Sequence, residues 1–69
     1  MFKFNRVVVI SEEKVADTIR AFDRLEIDKY EFVELGLGNS GVWSVSFNCN
    51  KKQFVKFIGM VRVEYIAKR

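Results

Sequence analysis

Residues 30–49 read YEFVELGLGNSGVWSVSFNC, and this stretch decides the fold. Two runs rich in β-branched and aromatic residues are joined by GLGNSG at residues 36–41, where the glycines and Asn39 tolerate positive φ. The second run alternates apolar with polar residues, and its apolar face carries Trp43, Val45, Phe47 and Cys49. The stretch therefore predicts a β-hairpin with strands over residues 30–37 and 42–49.

The segment before the hairpin predicts a strand and then a helix. RVVVI at residues 6–10 is a β-branched run typical of a buried strand. Ser11 is a favourable N-cap, and the acidic residues that follow it suit the positive end of a helix dipole. Apolar residues then recur at helical spacing, which predicts a helix over residues 12–25.

The segment after the hairpin repeats this pattern in reverse order. Asn50 followed by Gln53 resembles a capping box and predicts a helix over residues 51–61, and VEYIA predicts a last strand over residues 63–67. The order is therefore β-α-β-β-α-β. With right-handed crossovers this order gives one α+β domain over residues 1–69, a ferredoxin-like four-stranded antiparallel sheet with two helices on one face.

Composition excludes several kinds of chemistry. The chain has 69 residues, no histidine and a single cysteine, Cys49, so zinc sites and nucleophile–histidine pairs are not expected. GLGNSG precedes a strand instead of a helix, and it therefore fails the phosphate-loop pattern. Glu12 and Glu13 lie at a polar helix start, where nothing would raise a carboxyl pKa. We expect no enzyme activity, no cofactor and no metal.

The same features bear on location. One cysteine fits a reducing compartment, and no signal peptide is visible at the N-terminus. No apolar run approaches the roughly 20 residues that a membrane span needs. The sequence therefore predicts a cytoplasmic protein that does not act at a membrane.

Charge is distributed unevenly along the chain. Residues 11–34 hold eight acids and four bases (net −4), whereas residues 35–69 hold six bases and one acid (net +5). The predicted topology gathers most of the basic residues at one end of the domain, beside the start of the second helix. Anion or nucleic-acid binding there would use Lys3, Lys29, Lys51, Lys52, Lys56, Lys68 and Arg69.

The sheet face that the helices do not cover is predicted to be apolar. The first strand is apolar at every position from Val7 to Ile10, a pattern typical of strands covered on both faces. The other residues expected on this face, as a partner-binding surface, are Tyr30, Phe32, Val42, Ser44 and Ile66. Covering it would need another protein or a second copy of the chain.

These features favour a non-enzymatic small binding protein that acts by protein–protein contact. Its size suits an inhibitor or regulator, of the kind that phages and mobile elements encode, with a homodimer through the sheet as one form. Two alternatives stay open: nucleic-acid binding at the basic end by phosphate contacts, and a small-molecule-binding regulatory dimer. RNA-recognition domains share the element order but stack bases on outward aromatic residues of strands one and three, which this sequence lacks.

Overall fold

The fold is the predicted α+β arrangement. A computed structural model describes residues 4–36, 38 and 40–67. Its elements are β1 (Arg6–Ser11), α1 (Val15–Arg24), β2 (Tyr30–Glu34), β3 (Val42–Phe47), α2 (Lys51–Met60) and β4 (Tyr65–Ile66), with a short 3₁₀ turn at Glu12–Lys14. The strands form one antiparallel sheet in the order β2-β3-β1-β4. The ferredoxin-like layout is thereby confirmed.

Strand register determines which residues face the helices. Val8 of β1 and Phe32 of β2 both lie opposite Val45 of β3, so these three side chains share one face of the sheet. Val8 and Val45 are fully buried there, as is Phe57 of α2. Both helices therefore pack on this face, and the core lies between them and the sheet.

An aromatic cluster centred on Phe22 of α1 forms the middle of this core. The Phe22 ring lies 5.3 Å from that of Phe57 in a stacked arrangement and 4.8 Å from that of Phe47. Tyr30 and Phe32 of β2 complete the cluster, with ring centroids 4.7 and 6.2 Å from Phe22. The Phe22 side chain of α1 therefore contacts α2 and the strands β2 and β3 at once.

The start of the first helix differs from the prediction. Ser11 lies in β1 opposite Val42, and the Glu12 N–H donates to the Gly41 carbonyl at 2.8 Å, so the ladder continues past the predicted strand end. The Ser11 side chain makes no capping hydrogen bond, and the regular helix begins only at Val15. Ser11 therefore occupies the N-cap position of the 3₁₀ turn, as predicted, but without the expected side-chain hydrogen bond, and it also pairs with Val42 in the sheet.

Three strands are shorter than predicted, and β3 ends at Phe47 instead of Cys49. β2 ends at Glu34, because the chain turns away at Gly36, whose φ is +81°. β4 comprises only Tyr65 and Ile66, so most of the predicted last strand is irregular. Gly38 and Gly41 also have positive φ, as predicted for the loop, whereas Asn39 and Leu37 lie outside the described residues.

The capping box of the second helix is confirmed. The Gln53 N–H donates to Asn50 Oδ1 at 2.7 Å, and the Asn50 N–H donates to Gln53 Oε1 at 2.9 Å. Gln53 Nε2 also donates to the Leu25 carbonyl at 2.9 Å. This last bond joins the start of α2 to the end of α1, and so fixes the two helices at one end of the domain.

α1 ends in a Schellman motif in which a glutamate occupies the position that usually belongs to glycine. The Ile27 N–H donates to the Phe22 carbonyl at 2.8 Å, and the Glu26 N–H donates to the Asp23 carbonyl at 3.2 Å. Glu26 has φ +59°, the one positive φ recorded for a non-glycine residue in the described chain. This conformation costs a residue with a Cβ roughly 1–2 kcal/mol.

We therefore expect Glu26→Gly to stabilise the protein. The gain should be about 0.5–1 kcal/mol, because the relief of backbone strain exceeds the entropy that glycine adds to the unfolded chain. Urea denaturation followed by circular dichroism measures it. Glu26→Ala is the matched control, since it removes the same charge but keeps the Cβ. An equal gain in the alanine variant would show that charge, not backbone conformation, is the cause.

Candidate functional site

The sheet face away from the helices is the largest surface that the topology leaves open. One row of side chains crosses all four strands, because Tyr65 lies opposite Val9, Val9 opposite Ser44, and Ser44 opposite Val33. In each strand, the residues two positions before and after this row point to the same face. The open face is therefore defined by Val7, Val9, Ser11, Glu31, Val33, Leu35, Val42, Ser44, Ser46 and Tyr65.

This face is apolar and accessible. Val33 is 49% exposed and Tyr65 is 61% exposed, and Leu35 is also exposed. The valines of β1 and β3 on this face are half-buried by their neighbours. Ser44 lies between Val9 of β1 and Val33 of β2, and Ser46 lies between Val7 and Glu31, so β3 contributes small polar side chains to the middle of the face. The exposed apolar side chains around this centre are of the kind found at interaction sites.

Three residues assigned to this surface lie elsewhere. Tyr30 and Phe32 were predicted on the open face, but both pack against Phe22 on the helix side. Ile66 lies opposite Val8 and so also belongs to the helix side, at the sheet margin. The physical reason is register, since cross-strand partners share a face and those of Tyr30 and Phe32 are Phe47 and Val45. Val42 and Ser44 do lie on the open face, as predicted.

On the open face, β2 contributes Val33 and Leu35 in place of Tyr30 and Phe32. The last strand, β4, contributes Tyr65 in place of Ile66. The sequence contained the signal for Val33 and Leu35, because the loop between Leu35 and Val42 holds an even number of residues. When the loop has an even number of residues, each even-numbered residue of β2 lies opposite an odd-numbered residue of β3. The odd-numbered residues of β3 were all assigned to the core. Tyr65 gave no such signal, since its short strand has too little alternation to choose a face.

The basic residues gather in part as predicted. The Asn48 N–H donates to the Lys29 carbonyl at 3.2 Å, which brings Lys29 to the end of β3 that precedes Lys51 and Lys52. These three lysines and Lys56, one turn further along α2, are all exposed. Lys3, Lys68 and Arg69 lie outside the described residues. The same end of the domain also carries acidic residues, because the turn after α1 contributes Glu26 and Asp28.

The one cysteine is a core residue. Cys49 is 8% exposed, and its backbone is held by the Asn5 side chain, which donates from Nδ2 to the Cys49 carbonyl at 2.8 Å. Burial raises the pKa of the Cys49 thiol, and the hydrogen bond and charge of Arg6 lower it by less. The thiol is therefore protonated near neutral pH and is a poor nucleophile.

Two other features, a metal-ion site and a membrane-spanning helix, are not found among the described residues. No group of three or more metal-ligating side chains occurs within residues 4–36, 38 and 40–67. Over the same residues, neither helix is long and apolar enough to cross a membrane. Comparison of the chain with protein-family models, with curated proteins and with solved structures gives no match.

Proposed function

We propose that this chain is a small binding protein that acts by protein–protein contact through its open face. The observation that carries the proposal is that Val33, Leu35 and Tyr65 present exposed apolar side chains on the open face, in and beside the row Tyr65–Val9–Ser44–Val33. Tyrosine is among the residues that most often dominate binding energy at interfaces. The proposed role is that of an inhibitor or regulator, with no chemistry of its own.

The dimensions of the face indicate the kind of contact. The four strands contain 6, 5, 6 and 2 residues, and with about 3.3 Å per residue and about 4.8 Å between strands they span roughly 300 Å² in projection. Burying this area on each partner gives roughly 600 Å² in total, which is below the range of stable complexes. The open face thus fits a transient regulatory contact, or a stable one only if neighbouring surfaces also take part.

The test places a charge at the centre of the face. We expect Ser44→Glu to weaken partner capture at least about tenfold, because the carboxylate would be desolvated in an apolar interface. Capture from cells that express the protein, with chemical cross-linking, measures it, and sedimentation velocity detects a second copy as the partner. Thermal unfolding of each variant verifies that the fold is intact.

Val55→Glu is the matched control. It adds the same single charge at a residue that is 62% exposed on the outer side of α2, away from the sheet. Capture should therefore survive this change. Loss of capture in both variants, or in neither, would contradict the assignment of the contact to the open face.

Nucleic-acid binding is the second candidate, because one observation favours it. α2 carries three exposed lysines and no acidic residue, so its first half is basic. Phosphate contacts through Lys51, Lys52 and Lys56 would give affinity that falls steeply with salt. The double variant Lys51→Glu/Lys52→Glu, included in the same capture experiment, distinguishes the two. Under the open-face proposal it retains the protein partner.

A further inference from the structure

The outer edge of β2 is a free sheet edge with defined hydrogen-bonding groups. β2 is the terminal strand in the order β2-β3-β1-β4, and its only partner among the described strands is β3. The five residues from Tyr30 to Glu34 contain no proline. Such an edge presents unpaired N–H and C=O groups to which another extended chain can add.

Two hydrogen bonds identify the groups that point outward. The Leu35 N–H donates to the Val42 carbonyl at 2.9 Å, and the Asn48 N–H donates to the Lys29 carbonyl at 3.2 Å. In an antiparallel ladder the residues that bond to the partner strand alternate with those that do not. The N–H and C=O groups of Tyr30, Phe32 and Glu34 therefore point away from β3.

The side chains that flank this edge include exposed apolar residues and several acidic residues. Val33 on the open face and Ile19 of α1 on the helix side are 49% and 44% exposed. A groove beside the edge, between α1 and β2, is lined by Ile19, Arg20, Asp23, Ile27, Asp28 and Tyr30. Residues 26–34 hold four acids and one base, a net charge of −3. Arg20 is already paired with Asp17 at 2.6 Å.

These charges argue against a second copy as the occupant. Pairing two β2 edges would bring Glu31 and Glu34 of both copies into one interface, and like charges across strands are destabilising. The opposite edge of the sheet, β4, has only two residues, too few to cover a five-residue edge. Charge complementarity instead selects a basic segment of another protein.

We infer that the β2 edge binds an extended, lysine- or arginine-rich segment of a partner protein by β-strand addition. The segment would form backbone hydrogen bonds with Tyr30, Phe32 and Glu34. Its apolar side chains would contact Ile19 on the helix side, and the cations that alternate with them would lie near Glu31 on the open face. The edge borders the open face and shares Glu31 and Val33 with it, but it binds through outward backbone groups that the open-face contact does not use, so the two proposals are tested separately.

The experiment uses the intact protein and short synthetic peptides. The probe is a fluorescent peptide that alternates valine with lysine, and binding is measured by anisotropy. We expect it to bind at least about tenfold more tightly than the peptide in which glutamate replaces lysine, since several cross-strand charge pairs reverse sign. NMR hydrogen exchange should show slower exchange of the Phe32 and Glu34 amides in the bound protein.

Three controls make the result decisive. The same valine–lysine peptide with alternate backbone nitrogens methylated keeps its charge but cannot complete the ladder, and it should not bind. The variant Glu31→Lys/Glu34→Lys should prefer the glutamate peptide. The Ser44→Glu protein should bind the lysine peptide as the wild type does, which separates this edge from the open face.

Several outcomes would overturn the inference. Equal binding of the methylated peptide would show simple charge attraction without strand addition. Unchanged exchange of the Phe32 and Glu34 amides on binding, or an unchanged preference in Glu31→Lys/Glu34→Lys, would place the peptide elsewhere. Protection of these amides in a dimer formed without peptide would make a second copy the occupant instead.

Discussion

Phe22→Ala is expected to leave most of the chain unfolded at room temperature. Phe22 is 1% exposed and contacts aromatic residues of two strands and of α2, so its removal leaves a cavity in the middle of the core. Truncation of a buried phenylalanine costs about 3–5 kcal/mol. A single core in a domain of this size supplies roughly 3–5 kcal/mol of net stability. The loss therefore matches the whole stability of the fold.

Urea denaturation monitored by far-UV circular dichroism and by Trp43 fluorescence measures this effect. Phe22→Leu keeps most of the volume and should cost only about 1.5 kcal/mol, which leaves a measurable folded state. Val55→Ala, on the exposed side of α2, should change stability by no more than about 0.5 kcal/mol. A cooperative unfolding transition of Phe22→Ala near that of the wild type would mean that the cluster does not hold the core together.

The element order was predictable from sequence because each element had its own local signal. The alternation in the second hairpin strand, the β-branched run of β1 and the Asn50–Gln53 capping box all act over a few residues. Each of these signals agrees with the sheet order that the structure shows. At these positions local propensity and tertiary packing favour the same structure, so the elements can be predicted from short stretches of sequence.

Reasoning from local signals failed where tertiary contacts decide. Ser11 lies at the N-cap position of the 3₁₀ turn, yet it pairs with Val42 in the sheet and its side chain makes no capping hydrogen bond. Both faces of β2 carry large apolar side chains, so composition does not say which face is buried. Only the pairing with β3 and the position of Phe22 settle that Tyr30 and Phe32 turn inward. The composition of β1 predicts an apolar open face, whereas the β2 residues on that face follow only when the even-length loop is used to set the register against β3.

The two proposed surfaces share one structural cause. A two-layer α+β domain covers only one face of its sheet, and the helices and strands described within residues 4–36, 38 and 40–67 form no second layer over the other face. The order β2-β3-β1-β4 also leaves β2 at one edge, beside the acidic turn that follows α1. A partner that covers the open face and also adds a strand to this edge would bury more area than either contact alone.

Asn5 was not selected by any sequence pattern, yet its removal is expected to have the second largest effect on stability. Its side chain donates from Nδ2 to the Cys49 carbonyl at 2.8 Å and accepts from the Cys49 N–H at 3.1 Å. Its own N–H donates to Asn48 Oδ1 at 2.9 Å. These bonds join the start of β1 to the segment that leads from β3 into α2, across 43 or 44 residues of sequence.

We expect Asn5→Ala to lower the free energy of unfolding by about 2–3 kcal/mol, because it leaves two partly buried backbone groups of Cys49 without partners. Asn5→Asp is the sharper comparison. Its carboxylate can accept from the Cys49 N–H but repels the Cys49 carbonyl, which favours the protonated form in the folded state. Its deficit relative to wild type should therefore be large at neutral pH and shrink as the pH falls towards about 4, the pKa of the carboxyl in the unfolded chain, below which it stays constant.

Urea denaturation of both variants and the wild type at matched pH values measures these differences. The Asn5→Ala deficit should not depend on pH, because alanine has no group that titrates. A deficit of Asn5→Asp that stays constant from neutral to acidic pH would show that the contact with the Cys49 carbonyl contributes nothing. The Asn5 side chain would then stabilise the fold only through the hydrogen bond that it accepts from the Cys49 N–H.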